Sequence, residues 1–237
     1  MMDRIVVVAS GLPYSGKSWQ IQRMLGLPGF QKAVVVRMDD VRVQLYGDRS
    51  DTHVTKSEHL FKNEKTRNLI LEQLVLGAEL VLTEAILLTE EGHQKPFLEM
   101  LERADNYVQV IEQEYAKRDN ARTPDSPSMV FGRVILFHAS LAATERRIER
   151  SSADRRESNA AVFDLQGLYG AVSGLEYPKL YQPLVVDTSD ESGPVHARQV
   201  EEIQDFVFRG LLPSDQKQRW NQMLQHHEQL RKALKIS

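Results

Sequence analysis

The segment Gly11-Leu12-Pro13-Tyr14-Ser15-Gly16-Lys17-Ser18 fits the pattern G-x-x-x-x-G-K-[ST] at every fixed position. Its flanks fit as well. Ile5-Val6-Val7-Val8-Ala9 reads as a buried strand, and Trp19-Gln20-Ile21-Gln22-Arg23-Met24-Leu25 reads as the helix that follows. Glycines let the backbone turn tightly, so that successive N–H groups point at phosphate oxygens. The start of the helix adds the positive end of its dipole. In such a loop Lys17 reaches the β- and γ-phosphates of a nucleotide and the Ser18 hydroxyl binds Mg²⁺. The expected nucleotide-contacting set is Gly11, Pro13, Tyr14, Ser15, Gly16, Lys17, Ser18 and Trp19. The bland alternative is a plain glycine turn, and the strand before it and helix after it weigh against that.

Apolar strand-like runs alternate with helical patterns along the rest of the chain. Strands are expected over 4–9, 33–38, 79–83, 134–138 and 184–187, and helices over 55–77, 91–104, 141–152 and 196–210. This alternation predicts an α/β fold, a P-loop NTPase three-layer sandwich with a mostly parallel sheet covered on both faces. A chain of 237 residues accommodates one such domain over 1–212 and a C-terminal helix over 213–237. Residues 107–115 alternate like a strand, and a polar, proline-containing loop follows. With the strand after it this predicts an inserted hairpin at about 107–133, either facing substrate or decorating the surface. In the tail, Trp220, Met223, Leu224, His227, Leu230 and Leu234 recur at helical spacing. Such an amphipathic helix packs on its own domain, meets a second copy or receives a partner, the first being the commonest. His226 and His227 read as surface and packing residues rather than metal ligands.

Composition removes several classes of function. Hydrophobic residues make up 41% and charged residues 27%, ordinary for a globular protein. No apolar run is long enough for a transmembrane helix, and no secretory signal pattern opens the chain. There is no cysteine, which excludes disulfides, zinc–thiolate sites and thiol catalysis and suits a cytoplasmic location. A net charge of −3 argues against sequence-independent coating of nucleic acid, though not against a local basic groove.

The second strand ends in Val36-Arg37-Met38-Asp39-Asp40-Val41-Arg42. In doubly wound sheets ligands bind outside the carboxyl ends of the strands, so these acids stand where they can act. A kinase needs a carboxylate to accept the proton of an attacking hydroxyl. Arg42 lies one helical step further and suits an acidic group on the acceptor. Alternatively, Asp39 or Asp40 merely caps the next helix.

The loop of form G-x-P-x-S-G-K-S-x, followed by Asp39-Asp40-Val41-Arg42 at the second strand, resembles the P-loop kinases of the polynucleotide 5′-kinase type. Zeta-toxin-like and small-molecule kinases share that core. The resemblance implies that Asp39 aligns with the general base and Arg42 with the arginine that contacts the acceptor. It also places an acceptor-binding helical stretch over 46–67. Similarity is clearest over 4–90 and weaker over 134–190. After the third strand the family carries Asp-Ala/Thr-Asn, whereas this chain has Thr83-Glu84-Ala85. Glu84 keeps a carboxylate at the strand end, where it either supports the Mg²⁺ shell through water or touches the acceptor.

After the fourth strand, Arg146, Arg147, Arg150, Arg155 and Arg156 crowd one segment. P-loop kinases carry a lid here, expected over about 141–160, whose arginines neutralise charge on the transferring phosphoryl group. Arg146 and Arg150 are four apart and share a helix face, Arg147 points elsewhere, and Arg155 falls in the later part of the lid. The alternative is a solvated, salt-bridged helix. By resemblance alone, Asp187-Thr188-Ser189 lies near the adenine, although Asp187 serves equally well as a turn cap.

These readings converge on an ATP- and Mg²⁺-dependent phosphotransferase. Asp39 is the base, Lys17, Arg42, Arg146, Arg150 and Arg155 handle charge, and Ser18 with Glu84 attends the metal. The expected acceptor is a hydroxyl on a nucleic-acid end or on a small nucleotide or alcohol. The alternative is a regulatory ATPase that signals to a protein partner. There is no guanine-reading Asn-Lys-x-Asp segment, and intact Lys17, Ser18 and Asp39 weigh against a pseudoenzyme.

Overall fold

The computed structural model describes residues 3–47, 55–84, 91–118, 129–151, 182–190 and 193–234. Five parallel strands form one sheet in the order β2-β3-β1-β4-β5. They are β1 Arg4–Ser10, β2 Val34–Arg37, β3 Leu80–Glu84, β4 Val130–His138 and β5 Leu184–Asp187. The helices are α1 Lys17–Leu25, α2 Met38–Tyr46, α3 Lys56–Val75, α4 Glu91–Arg118, α5 Leu141–Glu149, α6 Gly193–Arg209 and α7 Gln216–Leu234. This is the α/β three-layer sandwich of a P-loop NTPase.

The strands are apolar on both faces because both faces are covered. Val6, Val8, Val134, Leu136 and Val185 point to one core, built with Ile70 and Leu74 of α3, Leu101 and Val108 of α4 and Met223 of α7. Their neighbours Val7, Ala9, Ile135, Phe137, Leu184 and Val186 point to the other, built with Ile21 and Met24 of α1 and Ile203, Phe206 and Val207 of α6. The period-two alternation of Cβ directions thus sorts one apolar run into two cores.

Local signals place the helix ends. Thr55 and Glu58 form a capping box at the start of α3, with Glu58 N–H donating to Thr55 Oγ1 and Thr55 N–H to Glu58 Oε2. Ser140 caps α5 by accepting from the Ala143 N–H. Neither Asp39 nor Asp40 is the cap of α2. Arg37 holds that position, and both acids lie in the first turn, where the dipole favours negative charge.

The hairpin expected at about 107–133 is corrected. Residues 107–118 continue α4 without a break, and 119–128 lie outside the described residues. Phe97, Leu101, Ala104 and Val108 are buried at steps of four, three and four, which is helical spacing. The strand-like alternation of Tyr107, Gln109 and Ile111 against Val108 and Val110 was a short-window coincidence on this longer pattern.

The tail helix packs inside the chain. Met223, His227 and Leu230 are buried, and Trp220 and Leu224 pack against the core around Val185. Arg219 ties it to α6 through a two-pronged pair with Glu202, at 2.7 and 2.8 Å, and also holds Asp215.

A strand would put Val108 and Val110 on one face, whereas the helix separates them. Val108→Asp is expected to cost more than about 3 kcal/mol, and Val110→Asp to stay within about 0.5 kcal/mol, in denaturant unfolding. Burial would raise the Glu202 carboxyl, but Arg219 and then Arg198 outweigh it and hold the group below its ordinary 4.5. A depressed carboxylate contributes stability that is fully present above its unfolded value and is lost as pH falls through the folded one. The melting temperature should therefore decline as pH drops below about 4.5, and Glu202→Gln should flatten that decline.

Candidate functional site

The carboxyl ends of β1, β3 and β4 converge on the loop between β1 and α1. Gly11 has φ 146°, and a Cβ there would stand 2.2 Å from the Phe137 carbonyl oxygen. Gly16 caps α1 in the left-handed region at φ 84°, beside Thr188. Both positions therefore require glycine. Tyr14, at φ 61°, is the non-glycine residue with positive φ among the described residues. This strain sits at the crown of the loop, as expected at a ligand-gripping turn.

Lys17 is buried, and its ammonium donates to the Gly11 and Leu12 carbonyls at 2.8 and 3.0 Å. The charge is thus held across the mouth of the loop by the loop's own backbone. Ser15 Oγ is buried without a hydrogen-bond partner. Pro13 is half-buried, and Trp19 lies exposed with the Arg23 guanidinium 4.6 Å above its ring.

Ser18 and Glu84 meet. The Ser18 hydroxyl donates to Glu84 Oε1 at 2.7 Å. The register Ala9↔Glu84 aligns β1 with β3, and Arg37↔Glu84 aligns β2 with β3. Asp39, two residues beyond Arg37, is therefore on the same rim, exposed in the first turn of α2, with half-buried Arg42 one turn further. A hydroxyl and a carboxylate side by side at a helix start are the hard oxygen donors that Mg²⁺ takes, so the residues present fit that ion.

Of the arginines expected in a lid, Arg147 points away from the side of Arg146 and Arg150, as their spacing predicts. Arg146 lies exposed on α5 and Arg150 exposed just past its end, and Arg155 lies outside the described residues. Arg147 turns inward instead. Its Nη1 donates to the Tyr14 carbonyl at 2.8 Å and to Thr188 Oγ1 at 3.1 Å, and its Nη2 donates to the Thr188 carbonyl. Thr188 Oγ1 in turn shares its one proton between the Ser15 carbonyl at 2.6 Å and that of His138 at 3.0 Å. Arg147 and Thr188 thus lock the loop to the ends of β4 and β5. The Asp187-Thr188-Ser189 segment singled out the place but not this role. No spacing rule links positions 14, 147 and 188.

No family model matches the chain, and no curated protein matches it. Among solved structures, a protein of Chloroflexus aurantiacus provisionally named a kinase is similar at TM-score 0.53 and 14% identity, covering 89% of this chain and 100% of its own. This chain has a P-loop kinase-like fold. A sugar kinase of a Janibacter species also matches, at TM-score 0.46 and 12% identity, over 89% of this chain and 99% of its own. So does the APS kinase CysC of Mycobacterium tuberculosis in complex with AMPPNP and APS, at 0.41 and 18%, over 86% and 98%. Overlaps this low carry no argument beyond the first. None of these three structures singles out the polynucleotide 5′-kinase or zeta-toxin-like group. Among the described residues no helix is long and apolar enough to cross a membrane.

Arg147→Ala is expected to lower stability by about 1–3 kcal/mol, because carbonyls of the loop and of Thr188 lose a charged donor. ATP affinity should fall with it. Arg147→Lys should restore only part of either, since one ammonium cannot reach all three acceptors. Thermal melts and nucleotide titration read both.

Proposed function

We propose that this chain is an ATP- and Mg²⁺-dependent phosphotransferase acting on a hydroxyl acceptor. The observation that carries the reading is the meeting of Ser18 and Glu84 at 2.7 Å beside the Lys17 loop, with the Asp39 turn aligned next to them through the Arg37↔Glu84 register. A loop ATPase needs the first two features. The exposed carboxylate on the neighbouring strand end is what an acceptor hydroxyl requires.

On this reading Asp39 accepts the proton of the acceptor hydroxyl. That oxygen attacks the γ-phosphorus in line, the bond to the bridging oxygen breaks, and ADP carries away the electron pair. The backbone N–H groups of the loop hold the phosphates, and Lys17 exchanges its carbonyl contacts for phosphate oxygens. Ser18 and Glu84 would hold Mg²⁺, which would neutralise charge on the phosphates. Arg42 engages an acidic group of the acceptor. The exposed arginines Arg146 and Arg150, with Arg155 beyond them, approach the transferring group when nucleotide is bound.

For the acceptor, resemblance in the loop and in Asp39-Asp40-Val41-Arg42 supports a nucleic-acid 5′-hydroxyl, a nucleotide or a small alcohol. A terminal nucleotide needs only a few local contacts, which a net charge of −3 permits. The tail helix as a contact with a second copy or a partner is a weaker proposal, since its apolar stripe is largely covered by its own chain.

The test is transfer of labelled γ-phosphate from ATP to a 5′-hydroxyl oligonucleotide, a nucleoside and sugar-nucleotide mixture, and a metabolite extract. Lys17→Ala serves as the inactive control. Asp39→Asn should reduce transfer by about 10²–10⁴-fold while ATP affinity stays unchanged. Transfer at the wild-type rate in Asp39→Asn would remove the general base. Release of free phosphate alone, indifferent to every acceptor, would favour a switch ATPase.

A further inference from the structure

Behind the phosphate loop, on the face covered by α7, three potential ligands come together from distant parts of the sequence. His138 ends β4 and Asp187 ends β5, and the two are register partners on neighbouring strands. His226 comes from α7. Its Nδ1 lies 2.9 Å from His138 Nδ1, and one ligand atom from each of the three residues falls within 4.8 Å of the others. His138 is 1% exposed, and its Nε2 is buried without a partner. The two rings meet Nδ1 to Nδ1, so an ion between them would be held by those two atoms, with the ring proton of His138 on its buried Nε2.

We propose that His138, His226 and Asp187 form a three-ligand site for a divalent first-row transition ion, zinc foremost, separate from the oxygen-donor Mg²⁺ position at Ser18 and Glu84. Two imidazole nitrogens bound tetrahedrally to zinc stand about 3.3 Å apart, so the observed pair has to open by only a few tenths of an ångström. Asp187 is held for the task. Its Oδ1 accepts from the Ser189 N–H and hydroxyl, and its Oδ2 accepts from Gln222 Nε2 at 3.1 Å, which leaves one lone pair on Oδ2. Gln222 and His226 are four apart on α7, so one helix face supplies both a ligand and a brace. A donor set of two nitrogens and one oxygen selects zinc or its neighbours over Mg²⁺, and the absence of sulfur disfavours Cu(I).

The site bears on the phosphate loop through the backbone. Thr188 follows Asp187 and carries the hydroxyl that bonds the Ser15 and His138 carbonyls. An ion here pins α7 to the two strand ends that form the floor of the loop.

The test uses tag-free, chelator-stripped full-length chain without nucleotide. Zinc is titrated by calorimetry, and cobalt(II) by its visible absorption. One equivalent of zinc is expected, with a rise in melting temperature and a cobalt spectrum of nitrogen-ligated ion. His226→Gln should weaken binding by at least about 100-fold and abolish the rise. Asp187→Asn decides the matter by the same readout if His226→Gln does not fold. Glu84→Gln should bind zinc like the wild type. Wild-type affinity in His226→Gln, loss of binding in Glu84→Gln, or a wild-type Kd weaker than roughly 1 mM would each overturn the site.

Discussion

The contact between Gly11 and the Phe137 carbonyl sets the position of everything else in the site. The end of β1 lies so close to β4 that no Cβ fits, and the chain has to leave the sheet upward into the loop at that point. From there Gly16 turns it into α1, and the loop's carbonyls come to face Lys17 on one side and Thr188 on the other. Sheet order then supplies the chemistry. β1 sits between β3 and β4, so Glu84 arrives from one neighbour and the Thr188–Arg147 brace from beyond the other. A parallel sheet with both faces buried is stiff enough to keep these groups in place.

The charges of the loop are satisfied internally in a way that suits exchange. Lys17 rests on two backbone carbonyls, which are neutral acceptors, so phosphate oxygens compete with them favourably. Ser18 rests on Glu84, and the pair offers oxygen ligands without rearrangement of the backbone. Arg147, by contrast, is committed to holding the loop. An arginine with three acceptors already in place is a positioning residue, while the exposed Arg146 and Arg150 keep the reach that a lid needs. The tail helix belongs to this same scaffold. It closes one core through Met223, joins α6 through Arg219, and brings His226 to the back of the strand ends that carry Phe137 and Thr188.

Much of this was legible beforehand. The loop motif, the five strands and most helices were readable because their signals are local: glycine at turns, apolar runs of four to nine residues, caps such as Thr55 with Glu58. Glu84 was readable as a carboxylate on the rim of the loop, because strand ends next to a phosphate loop form one rim, but its hydrogen bond to Ser18 was not. The strand expected at 107–115 failed where two periods fitted the same short window, and only the longer run from Phe97 to Val108 separates them. Arg147 was passed over because helical geometry correctly put it off the face of Arg146 and Arg150, and nothing local said which face meets the loop.

The sequence by itself determined the tight loop between β1 and α1 that presents Lys17 and Ser18 at the start of a helix, since glycine positions, lysine and serine at fixed spacing act through backbone geometry a few residues long. It determined the class of fold for the same reason. Only the tertiary structure decided which arginine braces the loop, that the tail helix covers its own core, and that His138, Asp187 and His226 stand together. Those facts depend on strand order, register and helix docking, which are set by how two cores fill and not by the neighbours of any one residue.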